Sequence, residues 1–328
     1  MTVRETLSPE VALVRGPVDV SVLVPAKDES DNLRLFVELC AETFGKARER
    51  YELIVIDDGS TDGTPELLRQ LRVEFPFLRA VRHRSQRGIA DALRTGYLAA
   101  RSDILVFYPA DLQFKPEDIP RLVAPILAGA SDMVTGYKQG VYEKAFVSKI
   151  YNGLSRILFH IPVRDLNNVK AYRREIMDEQ PARPDWHRYM IVLAAARGYT
   201  VTEIPVPLYP RHAGKSKFGL SRIPIGVLDM LAVWFELTFA KKPLLAFGML
   251  GAVLFAIGFV GGMLEVALLV AGRAEYAVRP VWAIIQTSMI LGSVFFATGL
   301  LGEQVAVLRA EQRELRRMMD ERGATLPD

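Results

Sequence analysis

The sequence predicts an α/β domain with a mostly parallel sheet flanked by helices, followed by interfacial helices and a two-helix transmembrane hairpin. From Val18 to about Pro207, short apolar runs alternate with helical patterns, as in β-α units. Further along, no residue is charged from Leu244 to Leu264 or from Pro280 to Gly302. Each of these runs is long enough to cross a ~30 Å hydrocarbon core at ~1.5 Å per residue.

Within the α/β region, the clearest strand is Glu52–Ile56, because it lies in a β-branched run typical of a buried strand. Pro65 follows it at a position that suits the first turn of a helix, here Pro65–Leu71. Further strands are predicted at Val18–Val24, Arg79–Arg82, Ile104–Tyr108, Asp132–Thr135 and Val201–Val206. Further helices are predicted at Asp31–Phe44, Ile89–Ala100, Glu117–Leu127, Ala145–Phe159 and Trp186–Arg197.

An acidic segment, Asp57-Asp58-Gly59-Ser60-Thr61-Asp62-Gly63-Thr64, lies between that strand and that helix. In an open α/β sheet, ligands bind at the carboxyl ends of the strands. Paired acids at such an end suit the hydroxyls of a ribose, the polar edge of a base, or a divalent cation. The alternative is an ordinary acidic turn in which Ser60 or Thr61 caps the following helix.

Composition restricts the class of protein. The chain has 328 residues, of which 50% are hydrophobic and 24% charged, and its mean hydropathy is +0.15. These values are too apolar for a purely soluble enzyme and too charged for a protein wholly embedded in a membrane. A net charge of +3 does not point to nucleic acid as a partner.

Basic residues flank the hairpin at both ends, so both ends are expected to face the cytoplasm. These basic residues are Lys241, Lys242, Arg309, Arg313, Arg316 and Arg317.

The expected organisation has five parts. Residues 1–17 form a weakly ordered leader without a secretory signal, and residues 18–219 form the cytoplasmic α/β domain. Residues 220–242 form juxtamembrane interfacial helices, or alternatively an ordinary amphipathic helix packed on the domain. Residues 243–303 hold the two spans, at about 244–270 and 280–302, and residues 304–328 form a cytoplasmic tail helix. The single cysteine, Cys40, excludes an intrachain disulfide and fits a cytosolic domain.

Polar groups also follow other predicted strands. The first strand ends in Val24-Pro25-Ala26-Lys27-Asp28-Glu29, and another leads into Asp111 and Gln113. A later segment, residues 208–219, supplies Arg211, Lys215 and Lys217. Carboxylates that face cations across one cleft suit a diphosphate held between a metal ion and Lys or Arg groups. The four histidines, by contrast, lack metal-ligand spacing, so no zinc site is expected.

Together these motifs resemble a family 2 glycosyltransferase of the GT-A fold, of the polyprenyl-phosphate sugar synthase type. Dolichyl-phosphate mannose synthase and the bacterial undecaprenyl-phosphate glucosyl and aminoarabinosyl transferases are examples of that type. The resemblance covers about residues 18–305 and rests on VPAKDE, DDGSTDGT, ADLQ, RDLNNVKAYRR, HRYMIVLAAARGY, RHAGKSKFG and the apolar hairpin.

The resemblance implies an inverting transfer of a sugar from a UDP- or GDP-linked donor to a polyprenyl phosphate, either undecaprenyl or dolichyl phosphate. It implies a multi-pass protein of the inner membrane with its catalytic domain in the cytoplasm. A divalent cation, Mg²⁺ or Mn²⁺, is the expected cofactor. The expected partners are the nucleotide sugar, the lipid phosphate, the bilayer and a second copy of the chain, but not nucleic acid.

The resemblance also carries roles over to single positions. Asp111 and Gln113 correspond to metal ligands, and Asp111, Arg211 and Lys215 are the candidate catalytic residues, the two basic ones from a mobile loop that closes over the donor diphosphate. The acceptor phosphate would meet Lys138, Lys144 and Ser148. The nucleotide-sugar site would include Pro25, Lys27, Glu29, Asp57, Asp58, Ala110, Asp111 and Lys217. We expect Asp111→Ala to abolish transfer without disturbing the fold.

Two positions depart from the family pattern. The first acid of the usual Asp-Ala-Asp is Pro109 here, which removes one anionic group near the donor. Asp111 and Gln113 could still hold a cation with help from diphosphate oxygens and water, because Mg²⁺ often relies on few protein ligands. Lys138 stands where an arginine is common, which keeps the charge but loses bidentate geometry.

Three other functions compete with this one. Transfer to a glycerolipid or sphingolipid hydroxyl would need a general base, for which Asp165 is the candidate. A processive polysaccharide synthase would have more spans and a QxxRW motif, which this sequence lacks. A non-catalytic scaffold that binds sugar nucleotides is the third alternative, and Pro109 is the feature that favours it.

Overall fold

The computed structural model describes residues 18–139, 145–159, 161, 163–166, 168–178, 186–212, 222–239, 242–272 and 279–324. The chain divides into two compact units, Met1–Val227 and Leu228–Asp328. The strands are β1 (Val20–Ala26), β2 (Tyr51–Asp57), β3 (Leu78–Arg82), β4 (Ile104–Phe107), β5 (Met133–Gln139), β6 (Lys170–Arg173) and β7 (Val201–Pro207). The helices are α1 (Ser30–Lys46), α2 (Thr64–Glu74), α3 (Ile89–Ala99), α4 (Ile119–Leu127), α5 (Ala145–Phe159), α6 (Arg174–Asp178), α7 (Trp186–Ala196), α8 (Arg222–Phe239), α9 (Met249–Val270) and α10 (Arg279–Ala324).

The first unit is built on a seven-stranded sheet in the order β3-β2-β1-β4-β6-β5-β7. Strands β3, β2, β1 and β4 run parallel to one another, and β5 runs parallel to β7. This confirms the mostly parallel α/β sheet. Strand β6 is antiparallel to both of its neighbours, β4 and β5. The sequence did not predict this short strand, because Lys170-Ala-Tyr-Arg173 is half polar and has no alternating pattern.

The core of this unit explains why its strands are so apolar. Every residue of β2 is buried, as expected for a central strand covered by helices on both faces. Helix α1 places Leu33, Phe36, Val37 and Cys40 in the core, a spacing of three and four residues that makes one apolar face. Helix α3 packs closely on the sheet at Gly96, where an added Cβ would lie 2.8 Å from Ile56 Cδ1. These layers hold the carboxyl ends of the parallel strands in place.

The second unit contains two helices that are long and apolar enough to cross a membrane. These segments are Leu244–Val270 and Val281–Gln312, with hydropathies of 2.4 and 1.7. They pack backbone to backbone through glycines: a Cβ on Gly251 would lie 2.6 Å from Gly292 O, and one on Gly292 would lie 2.7 Å from Gly251 O. Small residues allow apolar helices to approach this closely. Close packing matters for helices in a membrane, because lipid provides little hydrophobic driving force for their association.

Aromatic rings join the last turns of α8 to this helix pair. Phe239 lies 5.5 Å from Trp234 and 5.4 Å from Phe235 between ring centroids. Phe247, in the π-helical turn Leu244–Gly248 that precedes α9, lies 5.5 Å from Phe235 and 6.4 Å from Phe295 of α10. Aromatic rings are enriched at membrane–water interfaces, which is compatible with an interfacial position for this part of the predicted 220–242 segment.

Candidate functional site

The strand ends that carry the predicted site residues meet at one edge of the sheet. Strands β1, β2 and β4 are parallel neighbours, so their carboxyl ends lie side by side. Lys27 follows β1, Asp57 ends β2 and Asp58 follows it, and Asp111 lies in the loop after β4. The topology therefore places these four residues at the sheet edge where ligands bind in α/β proteins.

Hydrogen bonds join the loops that follow β1 and β2. Ser60 Oγ accepts the Asp28 amide at 2.9 Å, and Thr64 Oγ1 accepts the Glu29 amide at 3.0 Å. In return the Thr61 amide donates to Asp28 Oδ1 at 2.8 Å. Asp28 itself has φ 52°, in the left-handed region where Asp is tolerated. The idea that Ser60 or Thr61 caps α2 is therefore wrong: both serve the neighbouring loop.

The N-terminus of α2 is organised by other residues of the acidic segment. Gly63 is the N-cap residue, and Asp62 Oδ1 accepts the Thr64 amide at 3.0 Å. Gly59 has φ +69°, and a Cβ there would lie 2.7 Å from the Ser85 carbonyl carbon. Glycine at this position lets the loop pass close to the chain that follows β3.

Asp57 and Asp58 are both engaged by the protein. Asp57 accepts the Ser60 amide at 2.8 Å and lies 3.2 Å from Arg82 Nε at the end of β3. Asp58 is buried, and its carboxylate holds the loop before α3. Both acids therefore hold the loops at this edge of the sheet in place. Their contacts with a nucleotide remain predictions. Arg82 was not singled out from the sequence, although it ends a strand on the same edge.

Asp58 accepts three hydrogen bonds. The amides of Arg87 and Gly88 donate to its two oxygens, each at 2.8 Å, and His83 Nδ1 lies 2.8 Å from Oδ1. Burial alone would raise the pKa of Asp58, but these hydrogen bonds outweigh burial and lower it. A carboxylate cannot donate, so His83 carries its proton on Nδ1, while Nε2 lies 2.9 Å from Thr95 Oγ1.

The proposed metal ligands and a basic-loop arginine form the centre of the candidate site. Arg211 Nη2 lies 3.0 Å from Asp111 Oδ2 and donates to Gln113 Oε1 at 3.2 Å. The Gln113 amide donates to Asp111 Oδ1 at 3.2 Å. Between them Leu112 has φ 57°, a strained value for leucine, and the turn brings both side chains to one side. The structure thus brings together three residues that lie up to 100 positions apart in the sequence.

The donor set suits a hard cation, but Arg211 occupies it. One carboxylate and one amide oxygen are ligands that Mg²⁺ accepts, with water and phosphate completing its shell. Burial raises the pKa of Asp111, an effect opposed by Arg211 and by backbone hydrogen bonds. Within the described ranges, no group of three His, Cys, Asp or Glu side chains is placed to hold a metal. A cation at Asp111 and Gln113 would therefore need further oxygens, from water or from the donor, and the withdrawal of Arg211.

Two further predicted nucleotide-site residues follow β1. Lys27 Nζ donates to Gly59 O and lies 3.6 Å from Asp28 Oδ2, which ties it to the acidic segment. The Glu29 carboxylate accepts Asn32 Nδ2 at 2.7 Å in the first turn of α1. Pro25 and Ala110 lie at the same sheet edge, at the end of β1 and in the loop after β4, where Ala110 is buried.

On the predicted acceptor side, Lys138 of β5 forms an ion pair with Asp165. Their charged atoms, Lys138 Nζ and Asp165 Oδ2, lie 3.3 Å apart, and the aspartate is buried. The loop that carries Asp165 is held by Glu203 of β7, whose carboxylate accepts the amides of Arg164 and Asp165 at 2.6 and 3.3 Å. Lys144, Lys215 and Lys217 lie outside the described residues, as does the side chain of Ser148 in α5.

A buried lysine next to this ion pair was missed in the sequence. Lys170 of β6 is fully enclosed, and its Nζ donates to Leu166 O at 3.3 Å and to His187 O at 3.2 Å. Burial lowers its pKa to about 8, an effect that Asp165 opposes and Lys138 reinforces. Burial also lowers the pKa of His187 to about 3. Because the strand holding Lys170 was not predicted, no sequence signal marked its side chain as buried.

The sequence is similar to those of known glycosyltransferases. Residues 21–176 match the family described as glycosyl transferase family 2. The chain is 27% identical over 315 residues to an undecaprenyl-phosphate 4-deoxy-4-formamido-L-arabinose transferase of Klebsiella pneumoniae, covering 94% of each chain. It is 28% identical over 304 residues to a dodecaprenyl-phosphate galacturonate synthase of Rhizobium johnstonii, covering 88% of each.

A solved structure has a similar fold. It is the glucosyl-3-phosphoglycerate synthase of Mycobacterium tuberculosis in complex with Mn²⁺, UDP-glucose and phosphoglyceric acid. The match has a TM-score of 0.55 at 19% identity and covers 67% of this chain and 79% of that one. At this identity the likeness shows the fold.

Proposed function

We propose that the chain moves a sugar from a nucleotide diphosphate sugar to a polyprenyl phosphate at the cytoplasmic face of a membrane, since residues 21–176 match glycosyl transferase family 2. One observation carries the proposal. Asp111, Gln113 and Arg211 converge at the carboxyl end of β4, in a chain that aligns along nearly its whole length with polyprenyl-phosphate sugar transferases.

The donor would lie along the edge formed by β1, β2 and β4. In this proposal the nucleoside contacts Pro25, Lys27, Glu29 and the Asp57–Asp58 segment, whose loops are already fixed to each other. Asp111 and Gln113 would hold Mg²⁺ or Mn²⁺ together with diphosphate oxygens and water. When bound, such a cation offsets the negative charge that builds up on the leaving diphosphate.

Transfer to a phosphate depends on the positioning of the reactants and on electrostatic stabilisation, and it does not require a strong general base. The acceptor phosphate is already an anion at neutral pH, so its oxygen can attack the anomeric carbon directly. A single in-line displacement breaks the bond to the diphosphate and inverts the anomeric configuration. Arg211, with Lys215 and Lys217, would stabilise the departing diphosphate. For this, Arg211 must move its guanidinium from Asp111 to the diphosphate when the donor binds.

The acceptor side needs cationic groups, which the proposal assigns to Lys138, Lys144 and Ser148. Lys138 is held by Asp165 at 3.3 Å, so the aspartate orients the amine that meets the phosphate. An aspartate engaged in an ion pair is a poor candidate for the general base that a hydroxyl acceptor would need. This favours a phosphate over a glycerolipid or sphingolipid hydroxyl.

Membrane insertion would bring the chain to the bilayer that holds the lipid acceptor. We propose that the chain crosses the inner membrane at about residues 244–270 and 280–302, the apolar parts of the two long helices, with the polyprenyl tail in the bilayer beside them. Basic residues at both ends of the hairpin then place both ends, and the catalytic domain, in the cytoplasm. We further propose that the protein works as a homo-oligomer.

The test is a radiolabelled transfer assay on the detergent-solubilised full chain with undecaprenyl phosphate. A panel of UDP- and GDP-sugars is offered with Mg²⁺, Mn²⁺ or EDTA. We expect cation-dependent formation of a lipid-linked sugar from one donor. Product with diacylglycerol or ceramide alone would move the protein to hydroxyl-directed transfer, and binding of donor without turnover on any acceptor would favour the scaffold.

A pair of variants links the activity to the site. Asp111→Asn should abolish transfer, because this partly buried carboxylate is the only anionic group left in the Pro109-Ala-Asp111 motif. Asp118→Asn is the control: Asp118 is likewise paired with an arginine, Arg121, and is buried, but it lies at the start of α4. Equal activity in both variants, with both folded, would remove Asp111 from the proposed site.

A further inference from the structure

Helix α10 continues well beyond the apolar segment that would cross the membrane. It runs unbroken from Arg279 to Ala324, whereas the uncharged run ends at Gly302. Residues 303–324 therefore extend for about 33 Å at ~1.5 Å per residue. A helix that leaves a bilayer over this length either stays solvated or packs on a partner.

One face of α10 is already used within the chain. Its close contacts with the other apolar helix cluster at positions spaced by three and four residues, and the described ones end near Glu303, which accepts the Leu244 amide at 3.2 Å. The positions are Ile285, Met289, Gly292, Phe296, Gly299 and Glu303. This face therefore packs within the hairpin.

The opposite face of α10 carries an apolar stripe past the membrane boundary. Leu301, Val305, Leu308, Gln312 and Leu315 follow one another at spacings of four and three, which is the a/d pattern of a heptad repeat. The four apolar members are 68%, 47%, 59% and 58% exposed, respectively. At ~100° per residue, this stripe lies roughly 120–200° around the helix from Glu303. In sequence, Met319 takes the next a position.

A second copy of the same chain fits this stripe best. If α10 crosses the membrane, the α10 helices of two copies emerge on the same side of the bilayer. They then run in the same direction, and equivalent residues lie at the same distance from the bilayer. The bilayer then imposes the parallel, in-register arrangement in which each a or d residue meets its own counterpart. Val at a with Leu at d favours two strands, and in register the polar Gln312 of each strand meets its own counterpart at an a position.

The charges beside the stripe agree with a parallel pair. Glu311 takes position g and Arg316 takes position e of the next heptad, and these are the positions that form ion pairs between parallel strands. A lipid surface as the partner would require α10 to bend after Gly302, but the helix is continuous there.

We propose that residues 301–319 of α10 form a parallel two-stranded coiled coil with the same segment of a second copy. This inference rests on the proposed membrane insertion of α10 but not on the proposed transfer chemistry. The coiled coil would be the surface through which the proposed homo-oligomer forms. The coiled coil lies outside the glycosyltransferase family 2 domain, which covers residues 21–176.

Disulfide cross-linking in native membranes tests the proposal. The chain has one cysteine, Cys40, which is buried, so Cys40→Ala gives a background without thiols. Leu308→Cys and Leu315→Cys place a thiol at successive d positions, where the two strands of a parallel pair approach each other. Ala310→Cys is the matched control, because it is exposed on the same helix but lies about 200° from Leu308.

After mild oxidation of the full-length protein, we expect a disulfide-linked dimer for both d positions and at least tenfold less for the control. Glu311→Arg should reduce cross-linking at Leu308→Cys, and adding Arg316→Glu should restore it. Equal cross-linking at position 310, or none at 308 and 315 while maleimide labels both thiols, would overturn the proposal. Transfer assayed on the same membranes separates the two ideas: transfer without cross-links removes only the coiled coil, and cross-links without transfer remove only the proposed reaction.

Discussion

Arg211→Gln should tighten the binding of a divalent cation to the nucleotide-free protein. In the structure, Arg211 Nη2 lies 3.0 Å from Asp111 Oδ2 and donates to Gln113 Oε1 at 3.2 Å. A cation that uses these two oxygens must first displace the guanidinium. Glutamine removes the competing charge and keeps a polar side chain of similar shape.

The size of the effect follows from the contacts that are lost. The side chains of Arg211 and Asp111 are only 28% and 14% exposed, so water screens this pair less than a surface ion pair. A hydrogen bond to a charged group contributes about 1.5–3 kcal/mol. Since ~1.4 kcal/mol corresponds to a factor of ten, the variant should bind Mn²⁺ about 10- to 100-fold more tightly.

The assay is electron paramagnetic resonance of free Mn²⁺, titrated with detergent-solubilised full-length protein in the absence of nucleotide. Arg82→Gln is the matched control, because Arg82 pairs with Asp57 at 3.2 Å on the same sheet edge but does not contact Asp111 or Gln113 in any described hydrogen bond or ion pair. The control should leave Mn²⁺ affinity within a few-fold of the parent protein. An Arg211→Gln protein with unchanged or weaker affinity would refute the competition between arginine and cation.

The same variant should lose transfer activity while it gains affinity for the cation. If Arg211 also stabilises the leaving diphosphate, its loss should lower kcat by ~10²–10³, the usual effect of removing one donor to a developing charge. Tighter Mn²⁺ binding with full activity would mean that Arg211 only blocks the site. The two readouts therefore separate the roles of Arg211 before and during the reaction.

Three further changes test other parts of the structure. Gly59→Ala should lower the melting temperature more than Gly129→Ala, because both glycines have φ +69° but only a Cβ at Gly59 meets backbone, at 2.7 Å; equal losses would contradict the close approach. The pKa of His187 is about 3 in the folded protein against 6.5 for the free side chain, so the unfolded chain binds more protons between these values and stability falls as pH drops from about 6.5 towards 3. His187→Phe should lose this component, seen as a flatter melting temperature against pH, and parallel curves would exclude it. Asp165→Asn should raise KM for polyprenyl phosphate but not for the donor, because the substitution removes the carboxylate that holds Lys138 at 3.3 Å. A lower kcat at unchanged KM would instead indicate that Asp165 acts as a general base.

Local sequence patterns were sufficient to predict most strands of the sheet. The predicted Glu52–Ile56 became β2 at Tyr51–Asp57, because a β-branched run buried on both faces has few alternatives to a strand. The predicted Asp132–Thr135 became β5 at Met133–Gln139. Its extension is stabilised by pairing with β7 as far as Gln139 opposite Pro207, which no local pattern reveals.

Strand β6 shows where local pattern fails. Lys170 reads as an exposed residue in a polar stretch, yet it lies between β4 and β5 with its amine enclosed. The backbone carbonyls of Leu166 and His187 satisfy that amine. His187 lies 17 residues further along the chain, and β4 and β5, which flank the lysine, are separate strands, so the cost of burying the charge cannot be judged from the local sequence.

The sequence by itself determined the fold class, the apolar helices and the residue types of the site, because periodicity, hydropathy and motif chemistry are local properties. The tertiary structure decided what those residues do to one another. It showed Asp58 holding the amides of Arg87 and Gly88, and Arg211 lying on Asp111 and Gln113. These contacts depend on the order of strands in the sheet and on loops that meet at its edge. Electrostatic and hydrogen-bond energies act through distances in space, and the distance along the chain does not fix them.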